Sequence, residues 1–391
     1  MTRFDQILSC IQEEKLVTLC GDLVRFKTVN PPGDERPCAE YIASFLETAG
    51  FTTELVHHAE NRSSLIARLK GSGEKPGLML SGHLDVVPVG AEPWLHPPFD
   101  GEVVDGVLWG RGTSDMKGGV ASILAAAEAV AAGNLPLKGD LILAFTAGEE
   151  GEQLGAGVIA KRTDLAPVQA VIITEPSYND LYIAEKGAFW LKITTHGKTA
   201  HGATPQYGRN AIMMMAPFLQ ALEGQKVPFE VHPLLGGFTR SINTIKGGVL
   251  TNVVPDYCEV TIDQRTVPGQ DHDAILKGVE DLIAEFSQQH EGFSAKVTVI
   301  NNAIPVASPA DDPVIQRFSD FVDEITGVRP EPKGVAYYTD AVNLVPAMNA
   351  PLIICGPGKA SLAHQPNEHV EVAKMVECAK IVALSAGELL T

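Results

Sequence analysis

The chain has 391 residues, of which 45% are hydrophobic and 20% are charged, a composition typical of folded globular proteins. It carries 30 Lys and Arg against 48 Asp and Glu, so its formal net charge is −18. This composition excludes a disordered, collagen-like or disulfide-stapled chain. So acidic a chain is also not expected to bind nucleic acid or an anionic membrane through its overall field.

The lack of a recognisable targeting signal and the spacing of the cysteines predict a cytoplasmic protein. The sequence has no run of about 18 uncharged apolar residues, which predicts that no segment crosses a membrane. Its start enters a helical pattern directly, without the basic and apolar regions of a signal peptide. The six cysteines are far apart and form no CxxC pair, a pattern that favours reduced thiols over disulfides or a thiolate metal site.

The first part of the chain alternates predicted helices with short apolar runs. Helical spacing of apolar residues predicts one helix within residues 5–27 and a second over residues 37–50. Buried strands are predicted at residues 65–69, 77–84, 140–145 and 170–174, and a buried helix at residues 117–132. This order favours an α/β fold in layers.

From about residue 181 the pattern changes to a small α+β module. Alternating strands are predicted at residues 181–195 and 259–266, and helices at residues 208–222 and 272–289. After about residue 295 the buried pattern returns, with a strand at residues 351–355 and a terminal helix at residues 372–389. We therefore expect a domain of residues 181–295 inserted into a larger domain of residues 1–180 and 296–391.

The loop after the second buried strand contains His83 and Asp85. In an extended chain these two side chains point the same way, because side chains alternate with a period of two. A neutral imidazole can bind a metal while a carboxylate fixes its orientation, so His83 is a candidate ligand with Asp85 behind it. The alternative is a histidine that is simply hydrogen-bonded at a strand end.

A glycine-rich loop, residues 110–119, carries Asp115 at the start of the predicted buried helix. The flanking glycines allow a sharp turn, and a helix N-terminus favours an anion. Asp115 is therefore a second candidate ligand. The alternative is that it only caps the helix.

Two adjacent carboxylates, Glu149 and Glu150, follow the strand at residues 140–145. Carboxylates at the end of a buried strand are costly unless a cation is near. One of them could bind a metal while its neighbour accepts a proton from a water. An exposed acidic turn is the alternative, although it does not explain the glycines on both sides.

Glu175 ends another strand, and His364 lies in a late loop. Together with the residues above, they supply two histidines and three carboxylates as candidate ligands. Nitrogen and carboxylate donors without cysteine suit zinc, and less well cobalt or manganese. Five ligands exceed what one open catalytic zinc needs, so the set favours two metals that share a carboxylate.

The motifs SGHLDVVP, GRGTSDMKGG, TAGEEGE, ITEP and AHQPNE occur in that order along the chain. In this combination they resemble the dinuclear zinc family of acetylornithine deacetylase, succinyl-diaminopimelate desuccinylase, aminoacylase and carboxypeptidase G. The resemblance covers nearly the whole chain. It implies a zinc-exopeptidase-like catalytic domain, with a mixed sheet between helices, and an inserted ferredoxin-like α+β domain that acts as lid and dimerisation surface.

The resemblance also implies a role for each candidate. One zinc would be held by His83, Asp115 and Glu175, and the other by Asp115, Glu150 and His364, which makes Asp115 the bridge. By the same likeness Glu149 is the general base and Asp85 the carboxylate behind His83. The peptide after the bridging residue, Asp115–Met116, is implied to be cis.

For the inserted domain, the resemblance implies a homodimer in which His201 reaches the active site of the other subunit and stabilises the oxyanion. Asn252 and Arg265 correspond to positions that bind the substrate carboxylate, and Thr339 and Gly356 to positions that line the substrate pocket. On residue type alone, His201 is an ordinary surface histidine. Arg265 could equally form an ion pair between strands.

The resulting prediction is a zinc-dependent enzyme that hydrolyses the amide bond of an N-acyl amino acid. Alternative activities on the same scaffold are those of a dipeptidase or carboxypeptidase and of an N-carbamoyl amidohydrolase. A rival from another class is a metal-dependent binding protein without catalysis, although such a protein would not need Glu149. The expected partners are a small N-acyl amino acid or dipeptide and a second copy of the chain.

Overall fold

The structure, a computed structural model, describes residues 3–391 and contains α-helices and β-strands in nearly every part of that range. The helices are α1 (Arg3–Ser9), α2 (Glu13–Arg25), α3 (Arg36–Thr48), α4 (Gly118–Ala132), α5 (Leu154–Ile159), α6 (Ala211–Gly224), α7 (His272–Gln289), α8 (Pro313–Thr326), α9 (Ala341–Met348) and α10 (Val372–Leu390). The strands are β1 (Thr52–Ala59), β2 (Arg62–Leu69), β3 (Gly77–His83), β4 (Glu102–Val104), β5 (Val107–Trp109), β6 (Leu141–Thr146), β7 (Val168–Pro176), β8 (Tyr182–Glu185), β9 (Gly187–His196), β10 (Thr239–Gly247), β11 (Tyr257–Thr266), β12 (Ala295–Ala303), β13 (Val306–Ala307), β14 (Lys333–Val335), β15 (Leu352–Gly356) and β16 (His369–Glu371).

The chain divides into two compact units. The first comprises Met1–Ala184, Ala307–Gly334 and Thr339–Thr391, and the second comprises Glu185–Val306 and Val335–Tyr338. The inserted domain of residues 181–295 that the sequence predicts stays a prediction.

The first unit is built on a mixed sheet. The strand order is β1-β2-β6-β3-β7-β15-β8-β13, and β14 pairs with β8. Every residue of β3, β6 and β15 is buried, as expected for apolar runs covered on both faces of a sheet. Helix α4 is rich in Ala and is buried on nearly every side. The α/β fold class predicted from the sequence is therefore confirmed.

The parallel central strands decide where the loops of this unit meet. Strand β3 pairs in parallel with β6 and β7, and β15 pairs in parallel with β7. The register sets His83 opposite Thr146, and Gly356 opposite Pro176. Because parallel strands end at the same edge of a sheet, the segments that follow them converge there.

Close packing of α4 on the sheet supports this edge. A Cβ at Gly119 would lie 2.2 Å from the carbonyl oxygen of Thr174, so any larger residue would push the helix away from β7. The glycines at the start of α4 thus bring the preceding loop close to the strand ends.

The second unit has the chain order β9-α6-β10-β11-α7-β12, and its antiparallel sheet has the strand order β10-β11-β9-β12. This is the order of a ferredoxin-like fold. Strand β11 alternates between buried and more exposed residues, as expected of a sheet that is covered on one face. The side chains of Asn210 and Asp271 cap the N-termini of α6 and α7.

Two element predictions are wrong in detail. The single helix expected within residues 5–27 is two helices, because the backbone N–H groups of Cys10 and Ile11 bond back only three residues and Gln12 is extended. The strand expected at residues 181–195 is split into β8, which joins the larger sheet, and β9, which joins the ferredoxin-like sheet. Neither break carries a Pro or a cluster of turn residues that would signal it in the sequence.

Within residues 3–391, no helix has both the length and the apolar character that a membrane span requires. The six cysteines are all free thiols, and only Cys10 is exposed.

Candidate metal centre

His83 ends β3 and is almost fully buried. Its Nδ1 lies 2.9 Å from the backbone oxygen of Asp85, which can only accept a hydrogen bond. The proton of the neutral ring therefore sits on Nδ1, which leaves the lone pair of Nε2 available. That Nε2 lies 3.1 Å from Asp115 Oδ1 and 3.6 Å from Glu175 Oε1, so a neutral His83 can serve as a metal ligand.

Asp115 lies in a tight turn ahead of α4. The turn is entered through Gly112, whose φ of 87° lies in the left-handed region that favours glycine, and the Asp115–Met116 peptide is cis, as the resemblance implies. From this position the carboxylate reaches two histidines. Its Oδ1 faces His83, and its Oδ2 lies 3.5 Å from Nε2 of His364.

Glu150 and His364 form the outer part of the cluster. Nε2 of His364 lies 2.9 Å from Glu150 Oε2. The His364 side chain is 53% exposed, whereas that of Glu150 is 7% exposed. His364 also has a φ of 63°, which is uncommon for a residue with a side chain.

These residues form two candidate ligand sets that share one carboxylate. His83, Asp115 and Glu175 make the first set, and Asp115, Glu150 and His364 make the second. In each set one ligand atom per residue can be chosen so that these atoms all lie within 4.8 Å of one another. All five candidate ligands named from the sequence are thus brought together, from the carboxyl ends of β3, β6 and β7, the turn ahead of α4 and the late loop.

The electrostatics of the cluster match divalent cations. Burial, followed by the charges of neighbouring carboxylates, raises the pKa of Glu175 well above its usual range and raises the pKa of Glu150 as well. Burial alone would lower the pKa of His83, but the charges of Glu175 and Asp115 outweigh it and raise that pKa. Buried carboxylates held this close together are costly without nearby positive charge, and two cations would supply it. The nitrogen and oxygen donors suit zinc, cobalt or manganese.

Similarity to known proteins agrees with this geometry. The family profile "Peptidase family M20/M25/M40" matches residues 79–387. The chain belongs to this peptidase family. As a member of the M20 family it is a metal-dependent hydrolase, so the predicted enzyme class is confirmed.

Two curated M20 relatives and one solved structure illustrate the likeness. A Staphylococcus epidermidis protein named "Probable succinyl-diaminopimelate desuccinylase" is 29% identical, over 93% of this chain and 95% of its own. The acetylornithine deacetylase of Myxococcus xanthus is 30% identical, over 89% of this chain and 90% of its own. The Bacillus subtilis YXEP protein, described as a dinuclear metal-binding peptidase of the M20 family, shares the fold with a TM-score of 0.72 and 17% identity, over 97% of this chain and 98% of its own.

Glu149 of this M20 chain lies in the turn between β6 and α5. Burial raises the pKa of its carboxyl group well above the usual range; the charge of His83 opposes this shift, and those of Glu175 and Asp340 add to it. A raised pKa makes a carboxylate a stronger base toward water. Its role as the base stays a prediction.

Asp85 makes contacts that the sequence did not suggest. Its backbone oxygen, rather than its carboxylate, accepts the hydrogen bond from His83, and the nearest carboxylate oxygen lies 3.7 Å from Nδ1. The carboxylate instead accepts hydrogen bonds from the backbone N–H groups of residues 148–150, at 3.0, 3.0 and 3.1 Å, and from Nδ2 of Asn30 at 2.9 Å. Asp85 therefore holds the turn that carries Glu149 and Glu150.

The two predicted pocket residues of the first unit are both buried. Thr339 accepts a hydrogen bond from the backbone N–H of Ala341 at its Oγ1. Gly356 packs tightly on β7, and a Cβ there would lie 2.1 Å from the carbonyl oxygen of Thr174. Its backbone N–H donates to Ser177 Oγ. These contacts give structural reasons for a threonine at position 339 and a glycine at position 356. The role of both residues toward a substrate stays a prediction.

His201, Asn252 and Arg265 all belong to the second unit. His201 is exposed, and its Nδ1 accepts a hydrogen bond from the backbone N–H of Ala203, so its neutral ring carries the proton on Nε2. The backbone oxygen of Asn252 accepts from the N–H of Gly202. Nε of Arg265 lies 3.0 Å from Asp263 Oδ1, an ion pair along one strand rather than between two.

Sequence reasoning missed two residues that support the site. Asn30 donates to Asp85, as described above. Glu368 is fully buried, and its carboxylate accepts hydrogen bonds from the loop of Asp115. Glu368 stands in the AHQPNE motif, and the signal for it was a carboxylate four residues after a candidate ligand.

Proposed function

We propose that this M20 hydrolase cleaves the amide bond of an N-acyl amino acid at a centre of two zinc ions. The observation that carries the proposal is the pair of ligand sets that share Asp115. A single carboxylate that faces two histidines, each with its own glutamate, is the arrangement expected of a bridging ligand between two metals.

In this proposal His83, Asp115 and Glu175 hold one ion, and Asp115, Glu150 and His364 hold the other. A pair of divalent cations supplies positive charge that makes a water more acidic and polarises the carbonyl group to be attacked. Zinc is the metal proposed, and cobalt and manganese are substitutes with compatible ligand chemistry.

Glu149 is the proposed general base. It takes a proton from the attacking water and then passes it to the nitrogen of the leaving amine. Its raised pKa supports this role, because a carboxylate with a raised pKa holds a proton more strongly than an ordinary glutamate does. Asp85 would keep Glu149 in place through the backbone of its turn.

The second unit is proposed to form a homodimer, with His201 of one subunit serving the active site of the other. The tautomer supports this role, because the Nε2–H of His201 is a hydrogen-bond donor and an oxyanion needs one. Asn252 and Arg265 are proposed to bind the substrate carboxylate. Arg265 already pairs with Asp263, so a substrate carboxylate would share or displace that contact.

The names of the relatives support this substrate class, since one is a probable succinyl-diaminopimelate desuccinylase and the other an acetylornithine deacetylase. Thr339 and Gly356 are proposed to line the acyl pocket. Peptidase activity remains the alternative on this scaffold, as does N-carbamoyl hydrolysis. A cytoplasmic location is part of the proposal.

The test is a substrate panel on protein loaded with zinc and checked by elemental analysis. The panel contains N-acetyl, N-succinyl, N-formyl and N-carbamoyl amino acids together with dipeptides. Turnover of an N-acyl amino acid that is lost with a chelator and restored by zinc supports the proposal. Preferred turnover of dipeptides or N-carbamoyl amino acids would replace the substrate class. Metal binding without turnover of any panel member would contradict the proposed substrate class.

A further inference from the structure

Glu368 is a buried carboxylate with an unusual set of partners. Its side chain has no exposed surface, and its Oε1 accepts hydrogen bonds from the backbone N–H groups of Ser114 and Asp115, each at 2.9 Å. Its Oε2 accepts from the backbone N–H of Gly112 at 3.0 Å and from Nη1 of Arg111 at 2.6 Å. Both carboxylate oxygens therefore accept hydrogen bonds from one segment, residues 111–115.

This segment contains the candidate bridging ligand. The turn around Asp115 is irregular, so its N–H groups are not satisfied by a regular helix. A buried N–H group without an acceptor costs about 1–3 kcal/mol. The Glu368 carboxylate supplies that acceptor at three backbone positions and so restricts where the Asp115 side chain can point.

Glu368 also lies four residues after His364, the most exposed of the candidate ligands. The late loop and the Asp115 loop are tied at further points. Nη1 of Arg111 donates to the backbone oxygen of Gln365 at 3.2 Å, and the backbone N–H of Gly110 donates to the backbone oxygen of Glu368 at 3.0 Å. The two loops that bring Asp115 and His364 together are thus joined through a buried ion pair.

We propose that Glu368, with Arg111, is a positioning residue for the second ligand set, Asp115–Glu150–His364. It fixes the distance between Asp115 and His364 across two loops, whereas His83 and Glu175 are fixed by the ends of β3 and β7 and do not depend on it. This inference rests on the proposed function, since it assumes that the two sets hold metal ions. The inference has a selective consequence: loss of Glu368 weakens metal binding at the second ligand set more than at the first.

The test is a zinc titration of the full-length protein after removal of metal, followed by elemental analysis. The variant is Glu368→Gln, whose amide keeps one acceptor oxygen and turns an NH2 group toward N–H donors. We expect two zinc ions in the wild-type protein. In the variant we expect the ion of the second set to be weakened by about 10–100-fold, the usual effect of changing a residue behind a metal ligand, and the other ion to be weakened less, because the two sets share Asp115 but only the second contains His364.

Two further variants serve as a reference and a control for the zinc titration. His364→Ala removes a ligand of the second set directly, and its titration curve shows what loss of that site looks like. Glu35→Gln is the matched control, because Glu35 is equally buried and pairs with Arg62 at 2.8 Å, but contacts no candidate ligand. It should lose stability in thermal unfolding while it keeps both zinc affinities.

The conservative variant Glu368→Asp keeps the charge and shortens the side chain by one methylene. It should show a smaller loss at the same site, and it takes the place of Glu368→Gln if that variant does not fold. Two unchanged affinities, or an equal loss at both sites, would overturn the inference while the proposed function stands. A wild-type protein that binds no zinc would overturn both.

Discussion

The carboxylate of Asp85 accepts a hydrogen bond from the backbone N–H of Glu149 at 3.0 Å. The same carboxylate also accepts from the N–H groups of the residues on either side of Glu149. Three successive N–H groups that converge on one buried carboxylate define the path of the turn. The group expected behind His83 therefore positions the proposed base.

Exchanging Asp85 and Asn30 tests this relationship. The Asp85→Asn variant replaces one carboxylate oxygen, which accepts hydrogen bonds, with an NH2 group, which donates them. An amide then faces the amide of Asn30 in place of the carboxylate that accepted its hydrogen bond. We expect a loss of about 1–3 kcal/mol in the free energy of unfolding, because buried donors lose their acceptor. The double variant Asn30→Asp/Asp85→Asn restores an amide–carboxylate pair and should recover part of that loss in urea unfolding. A double variant no more stable than Asp85→Asn would contradict the hydrogen-bond scheme.

Glu149→Gln should bind both metals and lose turnover. The amide cannot take a proton from water, so kcat is expected to fall by about 10²–10⁴-fold. Steady-state kinetics on the preferred substrate, with zinc content measured on the same sample, gives the result. Glu152→Gln is the control, since this glutamate of the same turn has a side chain that is 61% exposed. Near wild-type turnover in Glu149→Gln would exclude its role as base.

Asp115→Ala should lose more zinc than any other single ligand variant. Asp115 belongs to both ligand sets, so its removal weakens both sites at once. Elemental analysis after dialysis measures the zinc content, and Asp100→Ala, a change at an exposed aspartate, serves as control. Full zinc content in Asp115→Ala would refute its assignment as the bridge.

Mixing two inactive variants tests the proposed role of His201. His201→Ala and Glu149→Ala should each be inactive as homodimers. If His201 acts in the site of the other subunit, a mixed dimer contains one site with both residues intact. Activity that appears after the two variants are unfolded and refolded together supports the shared site. A mixture as inactive as its parents would contradict it.

Metal affinity should fall as the pH is lowered. The hydrogen bond between His364 and Glu150 raises the pKa of His364. A proton therefore competes with the metal ion for Nε2 at a higher pH than it would in a free histidine. A ligand must be deprotonated to bind, so binding is favoured above this pKa and weakens as the pH falls through it. Zinc titrations between about pH 8 and about pH 6 should show affinity falling by up to about tenfold per pH unit for each proton displaced. The His364→Ala variant should show a shallower dependence, and an equal slope would contradict the assignment.

The sequence by itself determined the types of residue in the site and their places at strand ends. Ligand residues that follow apolar runs can be identified locally, because a strand pattern extends over only a few residues and the carboxyl ends of parallel strands meet at one edge. That is why His83, Glu150 and Glu175 could be named before their geometry was known. Asp115 was instead named from a glycine-rich loop ahead of a helix, and His364 from a late loop.

Only the tertiary structure decided which groups hold the ligands in place. Glu368 reaches the backbone of Asp115 across 253 positions of sequence, and Asn30 reaches Asp85 across 55. No local pattern encodes such pairs, since the choice of acceptor depends on which backbone N–H groups the folded chain leaves unpaired. For the same reason the carboxylate of Asp85 could be expected beside His83 from its spacing, whereas its bonds to the turn of Glu149 emerged only in the folded chain.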